Sequence, residues 1–96
     1  MIFGVEFHPD ALKEFNSLEK NIREIFVKKL SKRMSEPFVL SAKLSGDLSD
    51  CFKIKDKKSG IRLIYTVDVT SKIIYVIAVG KREKNSAYQN ARKRID

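Results

Sequence analysis

Three apolar segments in the second half of the chain, separated by two short polar turns, constrain the fold more than any other feature. The segments are residues 51–56, 61–68 and 73–80, and the turns are DKKSG and VTSK. Segments of this length that end in turn residues are typical of strands joined by hairpins. The last segment contains IIYVIAV, which is apolar on both faces, and this predicts a central strand that is covered on both sides.

The first half of the chain reads as a strand followed by two helices. IFGVEFH predicts a strand at about residues 2–7, and Pro9 then marks the start of a helix. Asn21 is followed three residues later by Glu24, which resembles a capping box and predicts that a second helix starts there. The two amphipathic segments together predict a helical hairpin. The loop-like stretch that follows is expected to hold a short strand at 42–45.

The chain closes with a basic segment that predicts a helix from about Glu83. Its packing stripe is narrow and consists of Ala87, Ala91 and Ile95. The order of elements is therefore strand, helical hairpin, three-stranded meander and helix. This order predicts the α+β class, with a mainly antiparallel sheet and helices grouped against it. With 96 residues, we expect one domain that spans residues 1–96.

The charge of the chain is concentrated in its second half. Residues 1–48 hold 8 basic and 7 acidic residues, a net of +1, whereas residues 49–96 hold 12 basic and 5 acidic, a net of +7. An electropositive face of this kind favours a polyanionic partner such as nucleic acid. No apolar run approaches the roughly 18 residues that a membrane span needs, and no signal peptide is evident, so we expect a cytoplasmic protein that does not bind membranes.

The cations of the meander are expected to share one face of the sheet. Because side chains alternate along a strand, Lys53, Lys55 and Lys57 lie opposite Phe52, and pairing with the next strand brings Arg62 to the lysine face. Arg82 follows the central strand at the sheet's edge, and Tyr88 lies on the last helix in line with Lys84 and Arg92. A solvated outer face, with lysines that guard an edge strand against aggregation, is the competing interpretation. Tyr88 is nearly as well explained as a packing residue.

The residue types present exclude several kinds of site. The only histidine, His8, precedes the first helix, and the single Cys51 is expected to be buried. One Cys and one His make no zinc site, and the aspartates lack metal-loop spacing, so we expect neither a metal nor a cofactor. What remains is Lys, Arg and Tyr. Crowded cations lower one another's pKa, which would let a lysine accept a proton, while an arginine stabilises charge on a phosphate. This chemistry suits RNA cleavage by its own 2′-hydroxyl.

The segments LSGDLSDCFKIKDKKSGIRLIY and VGKREKNSAY resemble the RelE toxins of the RelE/ParE toxin–antitoxin superfamily. FHPDALKEFNSLEKNIREIFVKKL fits the helical hairpin of that family, so the resemblance covers nearly the whole chain. The resemblance implies the RelE-like microbial RNase fold. It also implies a ribosome-dependent endonuclease that cuts mRNA in the ribosomal A site and leaves a 2′,3′-cyclic phosphate and a 5′-hydroxyl.

The same resemblance implies roles for five residues. Lys53 and Lys55 serve as base and charge-balancing group, and Arg62 stabilises the phosphate in the transition state. Arg82 is a candidate for protonating the leaving 5′-oxygen, and Tyr88 stacks on the mRNA. Further cations nearby are candidates for contacts with RNA or the ribosome: Lys57, Lys58, Lys81, Lys84 and Arg92.

The partners that the resemblance implies are mRNA, the ribosomal A site with its 16S rRNA, and a cognate RelB-like antitoxin. The antitoxin is expected to wrap the toxin and to cover or displace the final helix. It would also link the toxin indirectly to operator DNA. Two other functions stay open at this point: a ParE-like toxin that poisons DNA gyrase, and a basic module that binds RNA or ribosomes without cutting.

Overall fold

The computed structural model describes residues 2–83 and 86–95. Its elements are the strands β1 (Gly4–Phe7), β2 (Cys51–Asp56), β3 (Ile61–Asp68) and β4 (Ile73–Lys81), and the helices α1 (Pro9–Asn16), α2 (Lys20–Ser35) and α3 (Ser86–Arg94). The strands form one sheet in the order β1-β4-β3-β2, in which β1 runs parallel to β4 and the other pairs are antiparallel. The predicted α+β class and the central place of β4 are therefore confirmed.

The helical hairpin packs on one face of the sheet and α3 packs on the other. Phe26 and Leu30 of α2 are buried in the larger cluster, together with Phe52, Leu63 and Tyr65 of the sheet. A smaller cluster on the opposite face is formed by α3 against β3 and β4, and it includes Leu48, Ile64, Ile77, Ala87 and Ala91. β4 contributes to both clusters, which is why its sequence is apolar on both faces.

Two predicted details of the elements are wrong. α2 begins at Lys20 with Glu19 as its N-cap, because the amides of Ile22 and Arg23 already donate to the Glu19 carbonyl. Asn21 therefore lies inside the helix and forms no capping box with Glu24. The short strand expected at 42–45 is replaced by two 3₁₀ turns, Leu40–Ala42 and Gly46–Leu48, with a single bridge from Lys43 to Phe52.

The described part of the last helix is Ser86–Arg94, and Glu83 lies outside this range. The Ser86 hydroxyl donates to the carbonyl of Lys81 at 3.1 Å, which fixes the first turn of α3 against the end of β4. The predicted residue Lys84 lies outside the described residues. None of the helices in the part of the chain that the structure describes is long and apolar enough to cross a bilayer.

Candidate functional site

The pairing of β2 with β3 assembles the predicted cation face. Lys55 stands directly opposite Arg62, and Lys53 stands opposite Ile64. Directly opposed residues of an antiparallel pair project from the same face, so all three cations lie on the face that carries α3. Phe52 projects from the other face, into the cluster beneath the helical hairpin. The alternation that predicted this arrangement is confirmed.

A bulge in β4 and a glycine bring α3 close to this face. Ile64 pairs with Ala78 and Tyr65 with Val76, which leaves Ile77 as an extra residue in β4. Beyond the bulge, Gly80 stands opposite Arg62. A Cβ atom at Gly80 would lie 3.1 Å from the Ser86 hydroxyl oxygen, and 3.4 and 3.5 Å from the backbone N and Cα of Ala87. The absence of a side chain therefore lets the start of α3 rest on the sheet.

Tyr88 lies beside Arg62 as a consequence of this close packing. The Arg62 guanidinium carbon is 6.0 Å from the centroid of the Tyr88 ring, at the outer limit of a cation–π contact. Arg62 Nε is buried and has no hydrogen-bond partner among the described residues. A buried donor without a partner is unfavourable, and a polar ligand such as a phosphate oxygen would satisfy it.

Arg82 completes the cluster from the end of β4. Its amide donates to the carbonyl of Gly60 at 2.8 Å, which extends the β3–β4 pairing by one residue. Arg82 lines a cleft of about 220 Å³ together with Lys55, Lys57 and Arg62. The structure thus brings Lys53, Lys55, Arg62, Arg82 and Tyr88 to one end of one face, as the sequence predicted.

The pKa of Lys53 is lowered from its ordinary value. Partial burial is the largest cause, and the charges of Arg62, Lys55 and Arg82 follow in that order. The effect of crowded cations on the pKa is the one that the sequence predicts, whereas the larger effect of burial depends on the fold. Within residues 2–83 and 86–95, the ion pairs join Arg92 to Asp47 and Arg94 to Glu14, and neither involves the four clustered cations.

The additional RNA-contact candidates divide by position. Lys57 and Lys58 are exposed in the β2–β3 turn. Lys81 pairs with Ile61, so it projects from the face opposite Arg62. Arg92 donates to Asp47 at 3.1 Å, and both side chains are about half exposed or more, 48% and 66%. Arg92 is therefore partly neutralised.

Sequence reasoning missed a second group of cations, which comes from α2. Lys29, Lys32 and Arg33 line a cleft of about 450 Å³ together with Lys53 and Lys55. Lys29 Nζ donates to the carbonyl of Lys55 at 2.6 Å, and an Arg33 guanidinium nitrogen donates to that of Lys53 at 3.2 Å. These bonds satisfy outward carbonyls of the edge strand β2. The spacing of three and four residues between these cations was the signal for a shared helix face.

Comparison with known proteins places the chain in a family. Residues 5–86 match the family described as the ParE toxin of the type II toxin–antitoxin system parDE. The mRNA interferase toxin RelE of Escherichia coli K12 is 41% identical over 99% of both chains. The chain belongs to the RelE/ParE family of type II toxins.

Solved structures of RelE toxins share the fold of this family member. The free E. coli toxin RelE, as an arginine-to-alanine double mutant, superposes with a TM-score of 0.91 at 40% identity and full coverage of both chains. RelE in the intact E. coli RelBE toxin–antitoxin complex gives a TM-score of 0.79 at 39% identity, over 82% of this chain and 95% of that one. The present chain is thus a RelE-type toxin in sequence and in fold.

The other reactive groups of this RelE-type toxin are engaged in structure. Burial raises the pKa of the Cys51 thiol to about 11, with smaller effects from Asp50 and Asp47. His8 caps α1, and its Nδ1 accepts from the amide of Asp10 at 3.1 Å. The prediction of a buried Cys51 is confirmed, and His8, which precedes the first helix in the sequence, is its N-cap. Among the described residues, no three His, Cys, Asp or Glu side chains lie close enough together to hold a metal ion.

Proposed function

We propose that residues 1–96 act in the cytoplasm as one toxin domain, a ribosome-dependent endonuclease that cuts mRNA in the A site. The observation that carries the proposal is the convergence of four cations, Lys53, Lys55, Arg62 and Arg82, beside the Tyr88 ring. These cations form no ion pair within the described residues, so their charge is available to a polyanion. The membership of the RelE/ParE family supports the same assignment.

In the proposed reaction, the 2′-hydroxyl of the RNA attacks its neighbouring phosphorus atom. Neutral Lys53 accepts the 2′-hydroxyl proton, the bond between O2′ and phosphorus forms, and the bond between phosphorus and O5′ breaks. The lowered pKa of Lys53 favours this role, because it enlarges the neutral fraction near physiological pH. The products are a 2′,3′-cyclic phosphate and a 5′-hydroxyl.

The remaining residues of the cluster act on the phosphate and on the leaving group. Arg62 donates to a phosphate oxygen and so satisfies its Nε, while Lys55 balances the charge that develops there. Arg82 lies at the rim of the same cleft and is the candidate for delivering a proton to O5′. Tyr88 stacks on a base and orients the strand for in-line attack.

The ribosome and an antitoxin are the proposed partners. A site without a histidine base relies on a strand that is already held for attack, and the ribosome supplies that positioning. The cleft lined by Lys29 and Lys32 adds charge for contact with ribosomal RNA beside the site. The similarity to RelE in the RelBE complex supports a cognate RelB-like antitoxin. We propose that this antitoxin covers the basic face and links the toxin indirectly to operator DNA.

A single-turnover assay tests the proposal. Purified toxin is added to programmed ribosomes with an empty A site, and primer extension maps breaks in the mRNA. We expect cuts at the A-site codon that slow by about 10²–10³ in Arg82→Ala, the loss that follows removal of one group that stabilises a transition state. Lys20→Ala is the control, because Lys20 is an exposed cation at the start of α2 that lines neither basic cleft, and we expect it to cut within a fewfold of wild type.

The alternative functions give different results in parallel assays. Tight binding to ribosomes without any cut in the mRNA would indicate a module that binds ribosomes but does not cleave. Loss of gyrase supercoiling, with ribosomes unaffected, would assign the chain to the gyrase-poisoning branch of the family. Either result would refute the proposed cleavage.

A further inference from the structure

The uncovered part of the β4 edge carries a polar network that the cleavage chemistry does not use. β1 pairs with β4 only as far as Val76, so on that side the later residues of β4 have no strand beside them among the described residues. The Glu14 carboxylate of α1 takes that place and accepts from the amide of Val79 at 3.1 Å. Arg94 of α3 donates to the carbonyl of Ile77 at 2.9 Å on the same edge. Two side chains thus replace the missing strand.

The same two side chains bind each other around the edge of the sheet. Arg94 donates to both Glu14 oxygens at 2.8 Å, and the Asn90 amide adds a third bond to Glu14 at 3.2 Å. The pair is well shielded from solvent, with 14% of the Arg94 side chain and 25% of the Glu14 side chain exposed. A two-pronged arginine–carboxylate pair fixes direction as well as distance. It therefore joins α1 on one face of the sheet to α3 on the other.

α3 has few other means of holding its position. Its described part has nine residues, and a helix of about that length is not stable by itself in water. Its fully buried side chains are Ala87 and Ala91, which provide little apolar area. The ion pair between Arg92 and Asp47 is exposed, and exposed pairs contribute little. The bonds from Arg94 and Asn90 to the Glu14 carboxylate are therefore the strongest polar attachment of α3 among the described residues.

The position of α3 decides where Tyr88 lies. Tyr88 precedes Asn90 by two residues and Arg94 by six, so all three move together when the helix shifts. The Tyr88 ring is 6.0 Å from the Arg62 guanidinium carbon, and a small displacement of α3 would separate them. We infer that Glu14 is a positioning residue, which acts through Arg94 and Asn90 to hold Tyr88 against Arg62. This inference rests on the proposed function for its kinetic consequence, but its geometric consequence is independent of activity.

The first measurement reads the position of Tyr88 without any cleavage. The full-length toxin is labelled with 3-fluorotyrosine, the Tyr88 resonance is assigned with Tyr88→Phe, and amide exchange is followed along α3. In Glu14→Ala we expect the Tyr88 resonance to shift or broaden, and α3 amides to exchange about tenfold faster or more, while β3 amides keep their rates. Asp47→Ala is the matched control, because it removes the other ion pair of α3. We expect it to leave both signals unchanged.

The second measurement separates positioning from general loss of stability. Glu14→Gln removes the charge and keeps an acceptor for Val79 or for Asn90 but not for both, because these two groups donate to different Glu14 oxygens, and we expect an intermediate effect. Glu14→Ala, Arg94→Ala and the double variant form a double-mutant cycle for the free energy of unfolding. The double variant should lose no more stability than the less stable of the two single variants. On programmed ribosomes, cleavage by Glu14→Ala should slow by about 10- to 100-fold while the ribosome dissociation constant changes less than about threefold.

Each result decides the inference. An unchanged Tyr88 resonance in Glu14→Ala would overturn the inference. So would additive losses of stability from Glu14→Ala and Arg94→Ala in the double-mutant cycle. Equal slowing of cleavage by Asp47→Ala and Glu14→Ala would also overturn it. If the wild-type toxin cuts no mRNA, the proposed function fails, but the fluorine and exchange signals still test whether Glu14 positions Tyr88.

Discussion

Replacement of Arg62 by methionine should stabilise the protein and abolish its cleavage of mRNA. Methionine fills a similar length of space without a charge or a donor. In the wild type, Arg62 Nε is buried without a hydrogen-bond partner in the part of the chain that the structure describes, and Arg62 stands directly opposite Lys55. Both features are unfavourable in the free toxin and become favourable only when a phosphate is bound.

The magnitude follows from three contributions to the free energy of unfolding. Removing the unsatisfied Nε gains about 1 kcal/mol, the low end of its range, because Arg62 is only partly buried. Removing the like-charge pair with Lys55 gains roughly 0.5 kcal/mol. Losing the contact with Tyr88 costs about 0.5 kcal/mol at its 6.0 Å separation. The net gain is about 1 kcal/mol, which raises Tm by about 4–8 °C for a domain of this size.

Urea unfolding followed by circular dichroism measures the stability, and the ribosome assay measures cleavage. Arg92→Met is the matched control, because its arginine is exposed and paired with Asp47, and its stability should change by less than about 1 kcal/mol. A less stable Arg62→Met would refute the idea that this arginine is held at a cost to folding. Undiminished cleavage by the same variant would remove Arg62 from the site.

Three further variants test other parts of the structure. Tyr65→Phe removes the hydroxyl that donates to the Pro37 carbonyl at 2.7 Å, and urea unfolding should show a loss of about 1–2 kcal/mol. Because the pKa of Lys53 is lowered, the neutral form grows as pH rises, and the single-turnover cleavage rate should increase with a midpoint below 10.5. Lys53→Arg should remove that rise, whereas its persistence would assign the base elsewhere. Lys32→Gln should reduce the salt slope of ribosome binding by about 0.7–0.9, and Lys20→Gln, at the start of α2, should leave it unchanged.

The lysine pH dependence also has a consequence for stability, with a definite sign. The folded pKa of Lys53 is lower than the unfolded one, so the unfolded chain binds more protons between the two values. The free energy of unfolding therefore rises with pH across that window, which ends near the unfolded pKa of 10.5. The unfavourable contribution of charged Lys53 is present below the folded pKa.

The strands and the cation face could be predicted because they depend on local rules. The turn residues around Gly60 set the β2–β3 hairpin, and Gly60 adopts φ +73° as such a turn requires. Once the hairpin is set, a period of two assigns Lys53, Lys55 and Arg62 to one face without any further information. Cys51 and His8 could be excluded from the candidate site in the same way, because the residues next to them in the sequence indicate a buried thiol and a position just before the first helix.

The parts that could not be predicted depend on contacts across long separations. Glu14 and Arg94 are 80 residues apart, and each looks like an ordinary surface charge on its own helix. The bulge at Ile77 could not be predicted because the residues of β4 around it are apolar on both faces. An extra residue therefore does not change the pattern of apolar and polar residues in the sequence. The cations of α2 could not be assigned to the site from the sequence, because a charged helix face usually only contacts solvent.

The bulge in β4 and Gly80 explain how α3 comes close enough to the sheet to take part in the site. A regular β4 would alternate through Ile77 and Ala78, whereas the bulge turns both toward α3 and reverses the facing of every later residue. That reversal sets Gly80, rather than a larger neighbour, beneath Ser86, where a Cβ atom would be only 3.1 Å from the hydroxyl oxygen. The pairing of β1 ends at Val76, and this leaves the Val79 amide and the Ile77 carbonyl free to bind Glu14 and Arg94. The extra residue in β4 thus supplies the room for α3, the early end of β1 supplies the groups that hold it, and Tyr88 reaches Arg62 because of both.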